Sequence, residues 1–201
     1  LAKQRLGLPQ LPLLMLHHCD EFLQDEDRIA SVFEALKASG DIILSGVSAY
    51  SQHDYRKLAD SCFDAVQIPV NIFDWTQIEN GGIASLHRAD KIVFARSIFL
   101  QGLIFQNPDA LAPGMAFCRE PLRQLRRLCQ EYRMTPAVLA MSFALSIPGI
   151  TSLVLGSETV EQVQQNAALA EQVQPLSPQQ FQQIRQCFAQ VDPRVINPSM
   201  W

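Results

Sequence analysis

An apolar run, Leu13-Leu14-Met15-Leu16, ends abruptly in His17-His18-Cys19-Asp20, so two imidazoles, a thiol and a carboxylate stand at the edge of a hydrophobic segment. An imidazole changes charge near neutral pH and can hand a proton to a reacting oxygen or hold that oxygen in place; a thiol beside a base can act as a nucleophile. The two histidines are not equivalent, because successive residues of an extended chain point to opposite faces. His17 suits proton chemistry if the strand opens onto a site, and a solvated turn or hydrogen-bonded core histidine if it does not; His18, pointing the other way, suits packing or support. Asp20 and Glu21 read as paired carboxylates or, more simply, as the acidic opening of a helix. Cys19 has no cation in sequence to stabilise a thiolate and no third group to complete a nucleophilic triad. Gln67 is a different kind of signal: it interrupts the apolar run Ala65-Val66-Gln67-Ile68-Pro69-Val70, where a polar side chain is costly unless it is bonded. His53 and His87 fall on polar helix surfaces in this reading, Asp60 and Asp64 read as solvated, and Trp75 and Phe99 read as pocket lining or core packing.

The elements that must position these groups alternate. The run 13–16 predicts a first strand, bounded by Pro12 before and polar residues after. Ile29, Val32, Phe33 and Leu36 at helical spacing predict a helix over 27–38 that Gly40 terminates. A second strand is predicted over 41–48, ending in the small residues Ser45-Gly46-Val47-Ser48. Ser51 then caps a helix carrying Tyr55, Leu58, Ala59 and Cys62 on one face. The third strand covers 65–70, a short helix follows Gly81-Gly82, and the fourth strand covers 91–96. An irregular stretch from 105 to 117, with Pro108, Pro113 and Gly114, has the length and composition of a functional loop. Leu122, Leu125, Leu128, Cys129 and Tyr132 mark the next helix. Thr135-Pro136 has the form of an N-cap followed by a first-turn proline, opening a helix to about Ile147. A fifth strand is predicted over 151–156. Thr159 and Gln162 have capping-box spacing, and Ser177-Pro178-Gln179-Gln180 opens a last helix with Phe181, Ile184 and Phe188. Five strand-helix alternations predict a parallel α/β protein. A doubly wound sheet binding a dinucleotide would carry a glycine-rich turn after its first strand, and there is none. The alternative is a (β/α)8 barrel of which this chain supplies five units, since a whole barrel needs about 250 residues.

Composition bounds the function. With 201 residues and 48% hydrophobic content, the chain can bury a core, and 1–201 is expected to belong to a single domain. A net charge of −4 with both signs mixed along the sequence offers no basic face and argues against nucleic acid as a partner. No apolar run approaches a membrane span and no signal-peptide core is present, so the expected setting is the cytoplasm, away from membranes. The five cysteines are scattered, without C-x-x-C spacing, and read as reduced thiols. The first residue is Leu1 rather than methionine, so the sequence reads as a piece of a longer chain.

Taken in order, Leu16-His17, Gly46-Val47-Ser48, Phe63 to Asn71, Phe94-Ala95-Arg96-Ser97-Ile98-Phe99-Leu100-Gln101-Gly102-Leu103, and Val154-Leu155-Gly156-Ser157 with Gln162, Gln165 and Asn166 resemble the aldo-keto reductases. The closing Asp192-Pro193-Arg194-Val195-Ile196-Asn197-Pro198-Ser199-Met200-Trp201 looks like the C-terminus of a bacterial branch of that family. The resemblance aligns the chain with roughly the last two-thirds of a member and implies a partial (β/α)8 barrel lacking its N-terminal strands. It implies NADP or NAD as cofactor, bound without a Rossmann motif, and a small-molecule carbonyl substrate, with hydride transfer between the two. It implies His17 as the catalytic histidine that orients the carbonyl, Ser48 and Gln67 as the pair holding the nicotinamide carboxamide, and Arg96 where relatives stack an aromatic ring. Ser97, Phe99, Gln101 and Gly102 resemble the pyrophosphate loop; Gly156, Ser157, Gln162, Gln165 and Asn166 resemble the adenosine end.

The departures matter as well. Ala49 stands where an asparagine often follows the serine, and Gln165 where a glutamate is frequent. Gly156 and Gln162 stand where some relatives carry lysine and arginine for a 2′-phosphate, which leaves NAD or NADP open. The family's catalytic aspartate, tyrosine and lysine align upstream of this sequence, so the activity belongs to a longer parent and the 201 residues alone are expected to be inactive. The other readings are a nucleotide-binding or regulatory relative without turnover, and an inactive fragment. Oligomeric state is open.

Overall fold

The computed structural model describes residues 2–201. A short helix α1 (Ala2–Leu6) leads into β1 (Leu11–Leu16), and α2 (Cys19–Gln24) and α3 (Glu26–Ala38) return the chain to β2 (Ile42–Ser48). Helix α4 (Tyr55–Ala59) links β2 to β3 (Ala65–Pro69), and α5 (Thr76–Glu79) with α6 (Gly82–Arg88) links β3 to β4 (Ile92–Arg96). Two 3-10 segments, Leu100–Phe105 and Pro113–Cys118, then α7 (Arg119–Tyr132) and α8 (Pro136–Leu145), precede β5 (Ser152–Leu153); α9 (Val160–Ala170) and α10 (Pro178–Phe188) follow, and the 3-10 turn Pro198–Met200 closes the chain. Among the described residues no helix is long and apolar enough to cross a membrane.

The five strands form one parallel sheet in chain order, β1-β2-β3-β4-β5. A doubly wound sheet reverses its order at a switch point; this one never does, so it is an open arc of a (β/α) barrel. Residues in register on parallel strands share a face. Val47, Val66 and Val93 are in register and fully buried, and with Ile68 and Ala95 they form the sheet side of the core. Phe33, Tyr55, Leu58, Leu86, Leu139 and Phe143 bring the helices to it, each fully buried apolar side chain contributing about 1.5–3 kcal/mol. The other face alternates with it: Gln67, Phe94 and Arg96 are only half-buried, as is Met15, which lies opposite Gly46. One side of the sheet is thus packed under helices and the other is the surface on which the strand-borne site is built.

The N-caps explain where several helices start. Asp25 accepts from Arg28 N–H ahead of α3, Thr135 from Val138 N–H ahead of α8, and Ser177 with Gln180 completes a reciprocal capping box on α10. Three expectations are corrected. Asp54, not Ser51, caps α4, while Ser51 Oγ donates to Asp74 across the loops. Thr159 accepts from Gln162 N–H, yet the Gln162 side chain accepts from Glu158 N–H rather than from the cap residue, so that box is shifted by one residue. The fifth strand keeps two residues of the six expected, because beyond Leu153 the chain turns outward into the 154–159 loop. Helix α8 is shorter at its end than expected and is buried along its whole length from Ala137 to Ala144, which is why it shows no amphipathic stripe. Asp64 is not a solvated carboxylate: it is half-buried and joins Lys37 of α3 to the backbone and hydroxyl of Ser45 on β2.

Candidate active site

The carboxyl ends of the strands carry His17, Ser48, Gln67 and Arg96. Register pairs Leu16 with Val47 and Ser48 with Gln67, so His17 follows β1 level with Ser48, and Arg96 lies two residues beyond Phe94, the partner of Gln67. The pleat therefore sends all four toward one face. Ser48 is nearly buried, and its hydroxyl donates to Gln67 Oε1 at 3.4 Å, which leaves the Gln67 amide N–H groups free toward that face. His17 is exposed and its ring meets the edge of His18 at 4.5 Å between centroids. His18 is exposed too, not packed as expected.

Arg96 is held in place. Its guanidinium donates to the Ala49 carbonyl at 3.1 Å and to Ser97 Oγ at 3.3 Å, and it lies 4.7 Å from the centroid of the Tyr50 ring. The cation is thus stacked and hydrogen-bonded at once, an arrangement suited to the planar guanidinium and not to an ammonium. Tyr50 is itself anchored through its backbone. His53, expected on a polar surface, is instead 7% exposed, and its Nδ1 accepts the Tyr50 N–H at 3.0 Å. With Nδ1 accepting, the ring proton belongs on Nε2, which faces Asp20 Oδ1 at 3.2 Å. Gln77 donates to the carbonyls of Ser51 and His53 and closes the loop from beneath. Asp20 is therefore a second support rather than half of an acid-base pair. Cys19 is buried, and burial, with the Asp20 charge beside it, pushes its thiol up to about 11, far from a nucleophile.

Between Ser97 and Gly102 the backbone is left-handed at four positions, with φ of 61° at Ser97, 46° at Leu100, 50° at Gln101 and 83° at Gly102. Three of these are not glycine, and such residues cost about 1–3 kcal/mol each when strained. Phe99, at φ −95° and ψ 5°, precedes left-handed Leu100; the Leu100 and Gly102 N–H groups close turns onto the Ser97 and Phe99 carbonyls at 2.9 Å, so only the remaining N–H groups of this alternation suit an anion. This loop forms one wall of a cavity of about 670 Å³, and the start of α9 forms the other. Nine of the residues expected to hold a dinucleotide line it together: Ser97, Phe99, Gln101 and Gly102 from the loop, and Gly156, Ser157, Gln162, Gln165 and Asn166 from the far side. The turn 156–159 is tied to α9 by Asn166 Nδ2 donating to Ser157 Oγ at 2.9 Å. Ser97, Leu100 and Gln101 also line a second cavity of about 810 Å³ that holds Arg96, Tyr50 and the C-terminal residues 196–199. Ser48, Gln67 and His17 line neither cavity; their common face and register bring them together.

The sequence profile of the Aldo/keto reductase family matches residues 2–189. The chain belongs to that family. Among curated proteins it is similar to uncharacterized oxidoreductases of Mycobacterium tuberculosis and Mycobacterium bovis, 28% identical over 188 residues and covering 85% of this chain. It spans 57% of the length of those relatives. Among solved structures it resembles the holo form of an aldo-keto reductase from Bacillus halodurans, with a TM-score of 0.76, 20% identity, and coverage of 98% of this chain and 67% of that one. It also resembles a glycerol dehydrogenase from Gluconobacter oxydans, with a TM-score of 0.74, 18% identity, and coverage of 98% and 64%. These structures share the fold, an aldo-keto reductase barrel of which this sheet is a five-strand arc.

Several residues that shape the site escaped the sequence reading. Tyr50, His53 and Asp74 sit in loops after β2 and β3, where no periodicity points to a role. Ala137 reaches the first cavity from the start of α8, and Phe105, Val154, Leu155, Glu158 and Leu169 also line it.

 The walls around Leu169 and Leu155 are apolar and those around Gln162, Gln165 and Asn166 are neutral and polar, a mixture suited to a purine and a ribose. Trp75, by contrast, is core: its indole N–H donates to the Ile72 carbonyl at 3.1 Å and its ring packs against Phe143 and Phe181. The one signal that could have found Tyr50 is Arg96 itself, since a half-buried cation on an apolar strand requires partners nearby.

Proposed function

We propose that this chain is the dinucleotide-binding part of an oxidoreductase that moves a hydride between NAD(H) or NADP(H) and an aldehyde or ketone, or the corresponding alcohol. The observation that carries the reading is the shared cavity: residues 97–102 and 156–166, far apart in sequence, wall one space of about 670 Å³ that continues toward Arg96. In this reading the left-handed loop 97–102 receives the pyrophosphate through its backbone N–H groups. Gly156, Ser157, Gln162, Gln165 and Asn166 receive the adenosine. Ser48 and Gln67 hold the nicotinamide carboxamide, for which the Gln67 amide N–H groups are free, and Arg96 flanks the ring. The bound nicotinamide supplies the hydride chemistry; the protein orients and excludes water. His17 donates a hydrogen bond to the substrate carbonyl oxygen and fixes its direction. The family's aspartate, tyrosine and lysine are assigned to no residue of this sequence. The 201 residues therefore bind the dinucleotide without turning over a carbonyl, and reduction requires a chain that also supplies the proton donor. A setting in the cytoplasm, with a small carbonyl compound as substrate and neither nucleic acid nor membrane as partner, completes the proposal.

The test is a titration of the purified protein with NADH and NADPH, followed by quenching of tryptophan fluorescence and by calorimetry. Saturable binding of at least one of them supports the reading. Binding of neither would remove its basis.

A further inference from the structure

The geometry points to NAD(H) rather than NADP(H) as the dinucleotide, with Glu158 as the residue that discriminates. This rests on the dinucleotide reading above. The two cofactors differ by one phosphate on the 2′ oxygen of the adenosine ribose, a group that carries nearly two negative charges at neutral pH. Sites that accept it set an arginine or lysine against it, whereas sites for NAD(H) offer a carboxylate to the ribose hydroxyl. Among the residues that line the first cavity there is no lysine, arginine or histidine, and the single ionisable side chain is Glu158. A carboxylate accepts hydrogen bonds and donates none, so it can receive a ribose hydroxyl and repels a phosphate dianion.

Glu158 is also fixed in place. Its backbone N–H donates to Gln162 Oε1 at 2.6 Å, and the Thr159 hydroxyl beside it accepts from Gln162 N–H at 3.2 Å, so the turn that carries the carboxylate is pinned to the start of α9. Glu161, in the first turn of the same helix, adds a second negative charge.

The arginines that line the two adjoining grooves are committed elsewhere. Arg123, Arg126 and Arg127 line a separate groove that shares only Phe105 with this cavity. They bond to Asp109 at 2.6 Å, to the Gln106 carbonyl at 3.1 Å and to Glu120 at 2.8 Å, respectively. Arg96 belongs to the adjoining cavity and is occupied by Ala49, Ser97 and Tyr50.

The experiment measures the affinities of the 201-residue protein for NADH and NADPH, and for the half-molecules 5′-AMP and 2′,5′-ADP, by calorimetry. The same titrations are run on Glu158→Gln and Glu158→Arg, variants of an exposed side chain whose fold is checked by circular dichroism. A dianion about 6 Å from a carboxylate in a water-like dielectric is disfavoured by roughly tenfold. NADH is therefore expected to bind about ten times more tightly than NADPH, with the same preference for 5′-AMP over 2′,5′-ADP. Glu158→Gln narrows both ratios to about threefold or less, and Glu158→Arg reverses them. Wild-type protein that binds NADPH as tightly as NADH overturns the inference while leaving the dinucleotide reading intact. So does a preference for NADH that Glu158→Gln leaves unchanged. Failure of both dinucleotides to bind overturns the two together.

Discussion

Replacing His53 with leucine tests whether the loop after β2 is held from within. The imidazole is 7% exposed, its Nδ1 takes the Tyr50 N–H at 3.0 Å, and its Nε2 faces Asp20 Oδ1 at 3.2 Å. Leucine has nearly the same bulk, so little cavity forms, but the Tyr50 N–H loses its partner, at a cost of about 1–3 kcal/mol. The Asp20 side chain is 68% exposed, so that pair adds about 1 kcal/mol at most. The sum is about 1–4 kcal/mol. For a domain of this size each kcal/mol moves the melting temperature by about 2–4 °C, so His53→Leu should melt roughly 2–16 °C below wild type. Asp20→Asn, which removes only the exposed contact, should fall by less than about 3 °C. His53→Asn, whose side-chain oxygen can stand near the place of Nδ1, should recover part of the loss. Because Tyr50 covers Arg96, the leucine variant should also bind NADH several-fold more weakly while its affinity for 5′-AMP is unchanged. Thermal unfolding by circular dichroism and calorimetric titration measure both effects. Equal destabilisation by Asp20→Asn and His53→Leu would refute this account, because the anchor would then be the ion pair and not the Tyr50 N–H.

Three further outcomes are expected. Burial raises the Asp64 pKa, but the hydrogen bonds from Lys37 and Ser45 outweigh it and hold the carboxyl below the usual carboxylate range. Its stabilisation is therefore present above its ordinary pKa of about 4 and lost as pH falls through the depressed value, so Asp64→Asn should lower the melting temperature by several degrees at pH 7 and by almost nothing near pH 2. Equal deficits at both pH values would contradict the charge-based explanation. Gln67→Leu, which removes a polar contact expected at the nicotinamide, should weaken NADH binding about tenfold and leave 5′-AMP binding unchanged; a loss shared by 5′-AMP would place Gln67 in folding instead. Finally, β1 pairs with a strand on one side only and the face beside it is half-buried, so the 201-residue protein should self-associate in light scattering behind size-exclusion chromatography. A monodisperse monomer would show that the edge is protected.

Strand-borne features were legible because a strand obeys a period of two and its apolar runs are bounded by turn residues. The first four strands and the parallel order were readable from Leu13–Leu16, from the 41–48 and 65–70 runs, and from Ile92-Val93-Phe94-Ala95. Gln67 stood out because nothing in an apolar run asks for an amide. The fifth strand was overestimated: Val154, Leu155 and Gly156 are apolar or small because they line a cavity, and in sequence that is indistinguishable from strand burial. His53 was misread for the converse reason. Its neighbours Ser51, Gln52 and Asp54 are polar, yet the loop is held by the Tyr50 N–H donating to His53 and by the Ser51 and His53 carbonyls accepting from Gln77, backbone bonds that no side-chain pattern reveals.

The distribution of charge explains why Arg96 was legible in the sequence and Glu158 was not. At the strand ends the single cation, Arg96, must be compensated locally, and it is, by a carbonyl, a hydroxyl and an aromatic face contributed by residues 49, 97 and 50. Two of those three partners lie within two residues of Ser48, so the strand that presents the serine also supplies the cradle for the arginine. The far end has no such economy. Its carboxylate, Glu158, is exposed and needs no partner, so folding places no constraint on its identity. A residue that folding leaves free carries no signature in hydrophobic pattern, and its role becomes visible only when the cavity is drawn and every other lining side chain proves to be neutral.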